Sequence, residues 1–300
     1  MKNIYGIYLN NLRFDQIHRL YKEWIPEGKS IQKVDRINEM LNKFEELPKH
    51  EIIDNYLFAG RSSLFWIPLD DIEENRINNL INKISQSQTS TYNNPIEPKL
   101  EDYFSIVHTF KKTESKLFLT MGIGNFKDNL YIEDYKLGKQ YSQYFCYCVF
   151  RNSRPTLEIR ANNSLIPKII DTLNRELSLN LQFSNLPKKV TLEEFLTFKS
   201  LIPTATLRKY KGRSVDDNSI TEIFEYTARQ NVDYATEEEF LNMVIDKEDE
   251  AVSFSFEYDG FVYTAKVGLL TRSIFFQSYV SEEAIDYIFE IYRQSLLLEK

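Results

Sequence analysis

Proline and glycine are scarce, at nine of each in 300 residues, which excludes collagen-like and disordered classes. Two cysteines cannot staple a chain of this length, so a disulfide scaffold is excluded as well. No run of about 18 apolar residues occurs, and no membrane-spanning helix is expected. The opening residues, MKNIYGIYLNNLRF, lack the long apolar core of a secretory signal. An intracellular, cytoplasmic protein with reduced thiols and no membrane partner is the expectation. The phosphate-binding run GxxxxGKS/T and the nucleophile elbow GxSxG are both missing. What remains, 42% hydrophobic and 27% charged residues, is a globular composition. It is long enough for one large domain or two of medium size.

The net charge of −7 is unevenly spread. Residues 1–149 hold 19 Lys/Arg against 20 Asp/Glu, residues 150–214 hold 12 against 5, and residues 215–300 hold 6 against 19. A basic middle and an acidic C-terminal third suit a chain that meets a charged partner through one region. They equally suit a mixed surface once distant segments pack together.

Residues 85–98, SQSQTSTYNNPIEP, hold too little apolar surface to offset the entropy of ordering, and read as a linker. They divide a helical module, 1–84, from an α+β domain, 99–300. In the module, Phe14, Ile17, Leu20, Tyr21 and Trp24 share one helix face, and Pro26 and Gly28 stop that helix. Ser30 is placed to cap a second helix whose stripe is Ile31, Val34, Ile37, Leu41 and Phe44. Ile52, Ile53, Tyr56 and Leu57 suggest a third, and a further helix follows Asp70 with Glu73 in a capping box. The short stretches Ile4–Leu9 and Leu64–Ile67 are suited to pair as a ribbon.

Beyond the linker, aromatic and β-branched density predicts strands at Leu117–Ile123, Tyr144–Phe150, Thr156–Arg160, Leu179–Phe183, Val252–Tyr258, Phe261–Val267 and Ile274–Tyr279. Asp259-Gly260 is a hairpin signal, because the pair tolerates the positive φ angles of a type I′ turn. Helices are predicted at 164–177, 191–201, 219–230, 236–246 and 281–298. Ser281 caps the last of these, with Glu282 and Glu283 at the positive end of its dipole. A shift of 118 residues pairs Val149 with Val267, Arg154 with Arg272, Ile170 with Ile288, Arg175 with Arg293, and the proposed caps Asn163 and Ser281. The fold class is therefore α+β: a small helical N-terminal domain, then a mainly antiparallel sheet with flanking helices, containing a strand-strand-helix repeat. Helices on one face of such a sheet leave the other free for a ligand or partner.

Signals for catalysis are weak. Cys146-Tyr147-Cys148 alternates within an apolar strand, which sends both sulfurs into a core. His18, His50 and His108 lie too far apart in sequence to suggest a zinc site, and no cofactor is expected. Met121-Gly122-Ile123-Gly124-Asn125 has Lys127 where a dinucleotide fold needs a third glycine, and reads as a turn closing a strand. The acidic pairs and triplets Asp70-Asp71, Glu73-Glu74, Glu237-Glu238-Glu239 and Glu248-Asp249-Glu250 suit helix starts and solvated turns.

The basic features say more. Arg208, Lys209, Lys211 and Arg213 surround Tyr210 and Gly212, a loop in which cations meet phosphates while the ring stacks on a base or sugar. Lys29, Lys33 and Arg36 recur at three- and four-residue steps and share a polar helix face.

Residues 13–44, RFDQIHRLYKEWIPEGKSIQKVDRINEMLNKF, resemble a SAP module. That family pairs two short helices around a turn and opens the second with a basic residue and a hydrophobic–acidic–Arg–hydrophobic step. Here the step is Val34-Asp35-Arg36-Ile37, preceded by Lys29 and Lys33. The resemblance implies DNA binding. The order of elements also resembles the centromere protein N family, through the helix of Ile17, Leu20 and Trp24, the strand Tyr144–Phe150, the step Arg154-Pro155-Thr156 and the helix 164–177. That likeness implies a non-enzymatic nuclear protein that binds nucleosomal DNA through basic surfaces and pairs with a related subunit.

The leading expectation is a non-enzymatic nucleic-acid-binding or adaptor subunit, with DNA as the partner and phosphate contacts at Lys29, Lys33, Arg36, Arg208, Lys209, Tyr210, Lys211 and Arg213. Its acidic C-terminal third then faces a protein partner or repels nonspecific DNA. The second is a protein-interaction module using exposed aromatics, since Tyr and Trp anchor interfaces. The third is an enzyme whose site is assembled from dispersed acids.

Overall fold

The structure, a computed structural model, describes residues 9, 12, 14–43, 63–69, 75, 79, 105–113, 116–133, 136–151, 155–177, 179–181, 189–215, 221–228, 233–244, 247–278 and 280–297. In chain order the described elements begin with α1 (Phe14–Trp24), α2 (Lys33–Asn42), β1 (Ser63–Pro68), β2 (Ser105–Thr113), β3 (Lys116–Glu133), β4 (Lys136–Arg151), β5 (Thr156–Arg160) and α3 (Ile166–Leu177). They continue with α4 (Leu192–Ser200), β6 (Thr206–Val215), β7 (Thr221–Thr227), α5 (Glu238–Val244), β8 (Glu248–Tyr258), β9 (Phe261–Gly268), β10 (Ser273–Phe276) and α6 (Glu282–Tyr292). This is an α+β fold with a short helical N-terminal part, a mainly antiparallel sheet and flanking helices. The chain divides into two compact units, Met1–Ser62 with Lys189–Lys300, and Ser63–Lys188. The expected linker at 85–98 and third helix at 52–57 lie outside the described residues, as does most of the helix expected after Asp70.

In the Ser63–Lys188 unit the strands run β2-β3-β4-β5-β1, all neighbours antiparallel. One face carries Phe65, Ile67, Cys148, Phe150, Leu157 and Ile159, which α3 covers with Ile166, Ile169, Ile170 and Leu173. Cys146 and Cys148 are both buried there, as alternation requires. Three expectations change. Leu64–Ile67 does form a strand, paired with β5; of its expected partner Ile4–Leu9 only Leu9 is among the described residues, and it is helical. The two glycines of Met121–Asn125 do not make a turn: β3 continues through them, with Gly122 opposite Phe145 and Gly124 opposite Gln143. Leu179 and Leu181 are buried outside any described strand. The Asn174 side chain replaces a ladder partner, donating to the Leu181 carbonyl at 2.7 Å and accepting from its N–H at 2.8 Å.

In the other unit the order is β10-β9-β8-β6-β7, again antiparallel. The Asp259-Gly260 hairpin is as read: Tyr258 pairs with Phe261, and the two turn residues have φ of 52° and 74°. Core-facing Val252, Phe254, Phe256, Tyr263, Ala265 and Val267 pack beneath α4 and α6, with Phe254 5.7 Å from Phe195 and 5.8 Å from Phe198, ring centre to ring centre. Thr191 and Glu194 close a capping box on α4, and Ser281 caps α6. Asn163 is no such cap; it opens a 3-10 turn ahead of α3. The strand-strand-helix order does recur, as β4-β5-α3 and β9-β10-α6, with hairpins closed by Arg151 opposite Thr156 and Gly268 opposite Ser273.

The largest departure is at residues 206–227. The basic run is a strand, not a loop, and Thr221–Thr227, within the predicted helix 219–230, is β7. Apolar spacing around Ile223 and Phe224 imitates a helix, and seven residues of pairing with β6 override it.

Candidate functional site

The face of the Lys189–Lys300 sheet away from α4 and α6 is polar. On β9 the pattern alternates strictly: Phe261, Tyr263, Ala265 and Val267 are buried, while Val262, Thr264 and Lys266 are more exposed. Cross-strand pairing extends this second face outward. Lys266 stands opposite Ser253 and Phe275, Thr264 opposite Ser255, and Lys209 opposite Ser253 and Thr227.

Strand β6 reaches this face through two bulges. Leu207 pairs with Phe254 and Lys209 with Ser253, so Arg208 is an extra residue. Lys211 pairs with Ala251 and Gly212 with Asp249, so Glu250 is an extra residue on β8. The first bulge puts Leu207 and Tyr210, three apart, into the same core. Arg208 lies over the polar face, its Nε donating to Ser255 Oγ at 2.8 Å. Arg208, Lys209, Thr227, Ala228, Ser253, Thr264 and Gln277 line an open concavity of about 450 Å³ there. Two cations and three hydroxyls point to it, and its lining holds no carboxylate.

The sequence-predicted residues divide sharply. Arg208 and Lys209 line the concavity, Lys209 only loosely engaged with Glu225 at 4.0 Å. Lys211 is paired with Glu250 and Arg213 with Glu248, each at 2.6 Å. Bonds from Arg213 and Lys189 hold the Glu248 carboxyl below its usual range. Tyr210 is not a stacking platform. It is buried, edge-on to Phe240, and donates to Asp249 at 2.7 Å; burial and that carboxylate push its pKa well up. Gly212 exists for this ring: a Cβ there would sit 2.8 Å from the Tyr210 ring carbon that bears the hydroxyl.

The helical hairpin also differs from its reading. α2 begins at Lys33, so Lys29 precedes it and is exposed rather than sharing its face. Ser30 is not the cap; its hydroxyl donates to Glu39, which also accepts from Tyr21. The two bonds keep the Glu39 carboxyl below its usual range. The expected stripe is out of phase. Ile31 and Val34 are exposed, and α2 buries Arg36, Ile37 and Met40. Arg36 is only 6% exposed, its guanidinium stacked 4.9 Å from the Phe14 ring and its Nε bonded to the Ser30 carbonyl. Lys33 donates to the Leu12 carbonyl at 2.6 Å. Of these three cations Lys29 is the exposed one, Lys33 being half-buried and Arg36 buried.

Sequence reading missed Lys266, Ser253, Ser255 and Thr264, although the alternation of β9 displayed two of them. It also missed a buried charge cluster in the Ser63–Lys188 unit, on the sheet face opposite α3. Glu158 accepts from Trp66 Nε1 at 2.8 Å, from Arg151 Nη2 at 2.6 Å and Nε at 3.0 Å, and from Arg160 Nε at 2.5 Å. Burial alone would raise this carboxyl, but the two guanidiniums and the indole N–H hold it at about 2. No local motif joins Trp66 to Glu158; pairing of β1 with β5 does. Asp233 is likewise a counter-ion: burial opposes its charge, and Lys199 at 2.6 Å with the Leu207 and Ala235 N–H groups lowers its pKa.

Among the described residues no group of three or more His, Cys, Asp or Glu is arranged to hold a metal ion, and no helix is long and apolar enough to cross a membrane. No protein-family model matches this chain, and no curated protein matches it.

Proposed function

We propose that the chain is a non-enzymatic nucleic-acid-binding subunit that receives a strand across the polar face of the Lys189–Lys300 sheet. The observation that carries this reading is the open concavity whose lining combines Arg208 and Lys209 with Thr227, Ser253 and Thr264 and holds no carboxylate. Cations supply phosphate attraction, and hydroxyls donate to phosphate or sugar oxygens. Lys266, opposite Ser253 and beside the half-buried Phe275 ring, extends the track along the same face. Lys29 is the helical hairpin's contribution. The SAP-like and centromere protein N-like features favour the same ligand class, with DNA as the first candidate.

The test is salt-titrated binding of labelled single- and double-stranded DNA to the full chain and to the triple variant R208E/K209E/K266E. Three phosphate contacts on a single strand give a slope of log K against log salt of about −2. The variant should lose that slope and most of the affinity. Lys211 and Arg213 are left intact because reversing them would set like charges against Glu250 and Glu248. Absence of binding at low salt, or a variant that binds as the parent does, overturns the proposal.

A further inference from the structure

We infer that the outer edge of β7 is a docking site for an extended, Lys- or Arg-bearing segment of a partner protein, which adds to the sheet as a further strand. This edge adjoins the concavity, which Thr227 and Ala228 help to line, but its argument does not depend on the nucleic-acid reading.

Among the described residues β7 has a neighbour on one side only, β6. The Ala228 N–H donates to the Arg208 carbonyl at 2.8 Å, and these two residues continue the unbroken β6–β7 register. Hydrogen-bonded and non-hydrogen-bonded pairs alternate in an antiparallel ladder. Tyr210–Tyr226 and Gly212–Phe224 are therefore bonded pairs, while Ile223, Glu225 and Thr227 turn their N–H and C=O groups away from β6. Tyr234 supports this phase by donating to the Thr227 carbonyl from outside, at 3.2 Å, which also closes that end of the edge. Ile223 and Glu225 are left to offer an uncapped pair of donors and acceptors. An edge of this kind accepts a strand.

What flanks the edge defines the guest. On the core side Tyr226 reaches Met243 of α5, and Met243 and Leu241 are exposed. An added strand would lay alternate apolar side chains there. On the polar face Ile223 is 61% exposed and Glu225 is held only by Lys209 at 4.0 Å. Apolar residues at every second position, with cations between them, match both sides.

The experiment uses the full chain and an end-blocked, fluorescein-labelled heptapeptide of alternating Val and Lys. Its controls are the Val/Glu counterpart and the Val/Lys peptide N-methylated on alternate amides. Anisotropy should show binding of Val/Lys alone, and hydrogen exchange should slow at the Ile223 and Glu225 amides. Ile223→Pro removes an outward N–H and spares the β6 ladder, as edge prolines do; it should weaken binding about tenfold or more. Glu225→Lys should weaken it without touching the backbone. Equal binding of the Val/Glu or N-methylated peptide, protection elsewhere than β7, or no binding at all overturns the proposal. So does self-association of the chain through β7 that the peptide fails to displace, since the occupant is then a second copy.

Discussion

Replacing Glu158 with Gln should destabilise the Ser63–Lys188 unit strongly and remove much of its sensitivity to acid. The native carboxylate takes four hydrogen bonds from three buried side chains, two of them guanidiniums. An amide keeps one acceptor oxygen and sets an NH₂ against donors, and it removes the Glu158 charge from the buried Arg151 and Arg160. Breaking a buried pair by removing one partner costs about 3–5 kcal/mol. The pKa gives an independent figure: lowering from the ordinary 4.5 to about 2 corresponds to about 3 kcal/mol. Because the folded value is the lower one, the unfolded chain takes up the proton first as pH falls. The stabilisation is therefore complete above about pH 4.5 and is lost on the way down to about pH 2. Trp66 donates to Glu158 itself, so its fluorescence in a Trp24→Phe background reports on this unit. With a urea m-value of about 2 kcal/mol/M, the Gln variant should unfold about 2 M earlier at pH 7. Between pH 5 and 2 its midpoint should change much less than the parent's. A variant as stable as the parent at pH 7, or with the parent's acid dependence, refutes the assignment of Glu158 as the charge that holds both arginines.

Two further outcomes follow from packing. Gly212→Ala should cost about 1–3 kcal/mol in urea unfolding, because the new methyl displaces the Tyr210 ring from Asp249; an unchanged midpoint would contradict the contact. Burial pushes the Cys146 thiol up to about 12 and the Cys148 thiol up as well, so a thiol reagent at pH 8 should modify both slowly in the native chain and rapidly in urea. Prompt modification of the native protein would place the sulfurs outside the core.

Much of the fold was legible where neighbouring residues decide the outcome. Asp259-Gly260 imposes its own turn, Ser281 caps the helix it precedes, and Cys146 and Cys148 follow from alternation alone. The site was legible in part: the basic run was noticed, but its geometry was misread. Lys211 and Arg213 gain a strand environment from Glu250 and Glu248, some 35–39 residues away in sequence, and no local pattern announces those partners. Arg36 was assigned to solvent because arginine usually belongs there. Two rings and a carbonyl made burial acceptable, and they come from α1 and the inter-helix turn. The phase of α2 shifted with it, leaving Ile31 and Val34 outside.

The paired bulges act as a parity code for the sheet. Along a regular strand, odd and even positions keep opposite sides, so one insertion exchanges the two sets from that point on. Arg208 makes that exchange on β6 and Glu250 makes it on β8, and Tyr210, which lies between the two bulges, reaches past Glu250 to donate to Asp249. Were β6 regular through 208, with no bulge, Lys209, Lys211 and Arg213 would fall on the core side and Tyr210 on the opposite side. Loss of either extra residue therefore leaves the pairing and both faces as they are, whereas an insertion or deletion at a paired position of β6 or β8 exchanges the two faces from that point on.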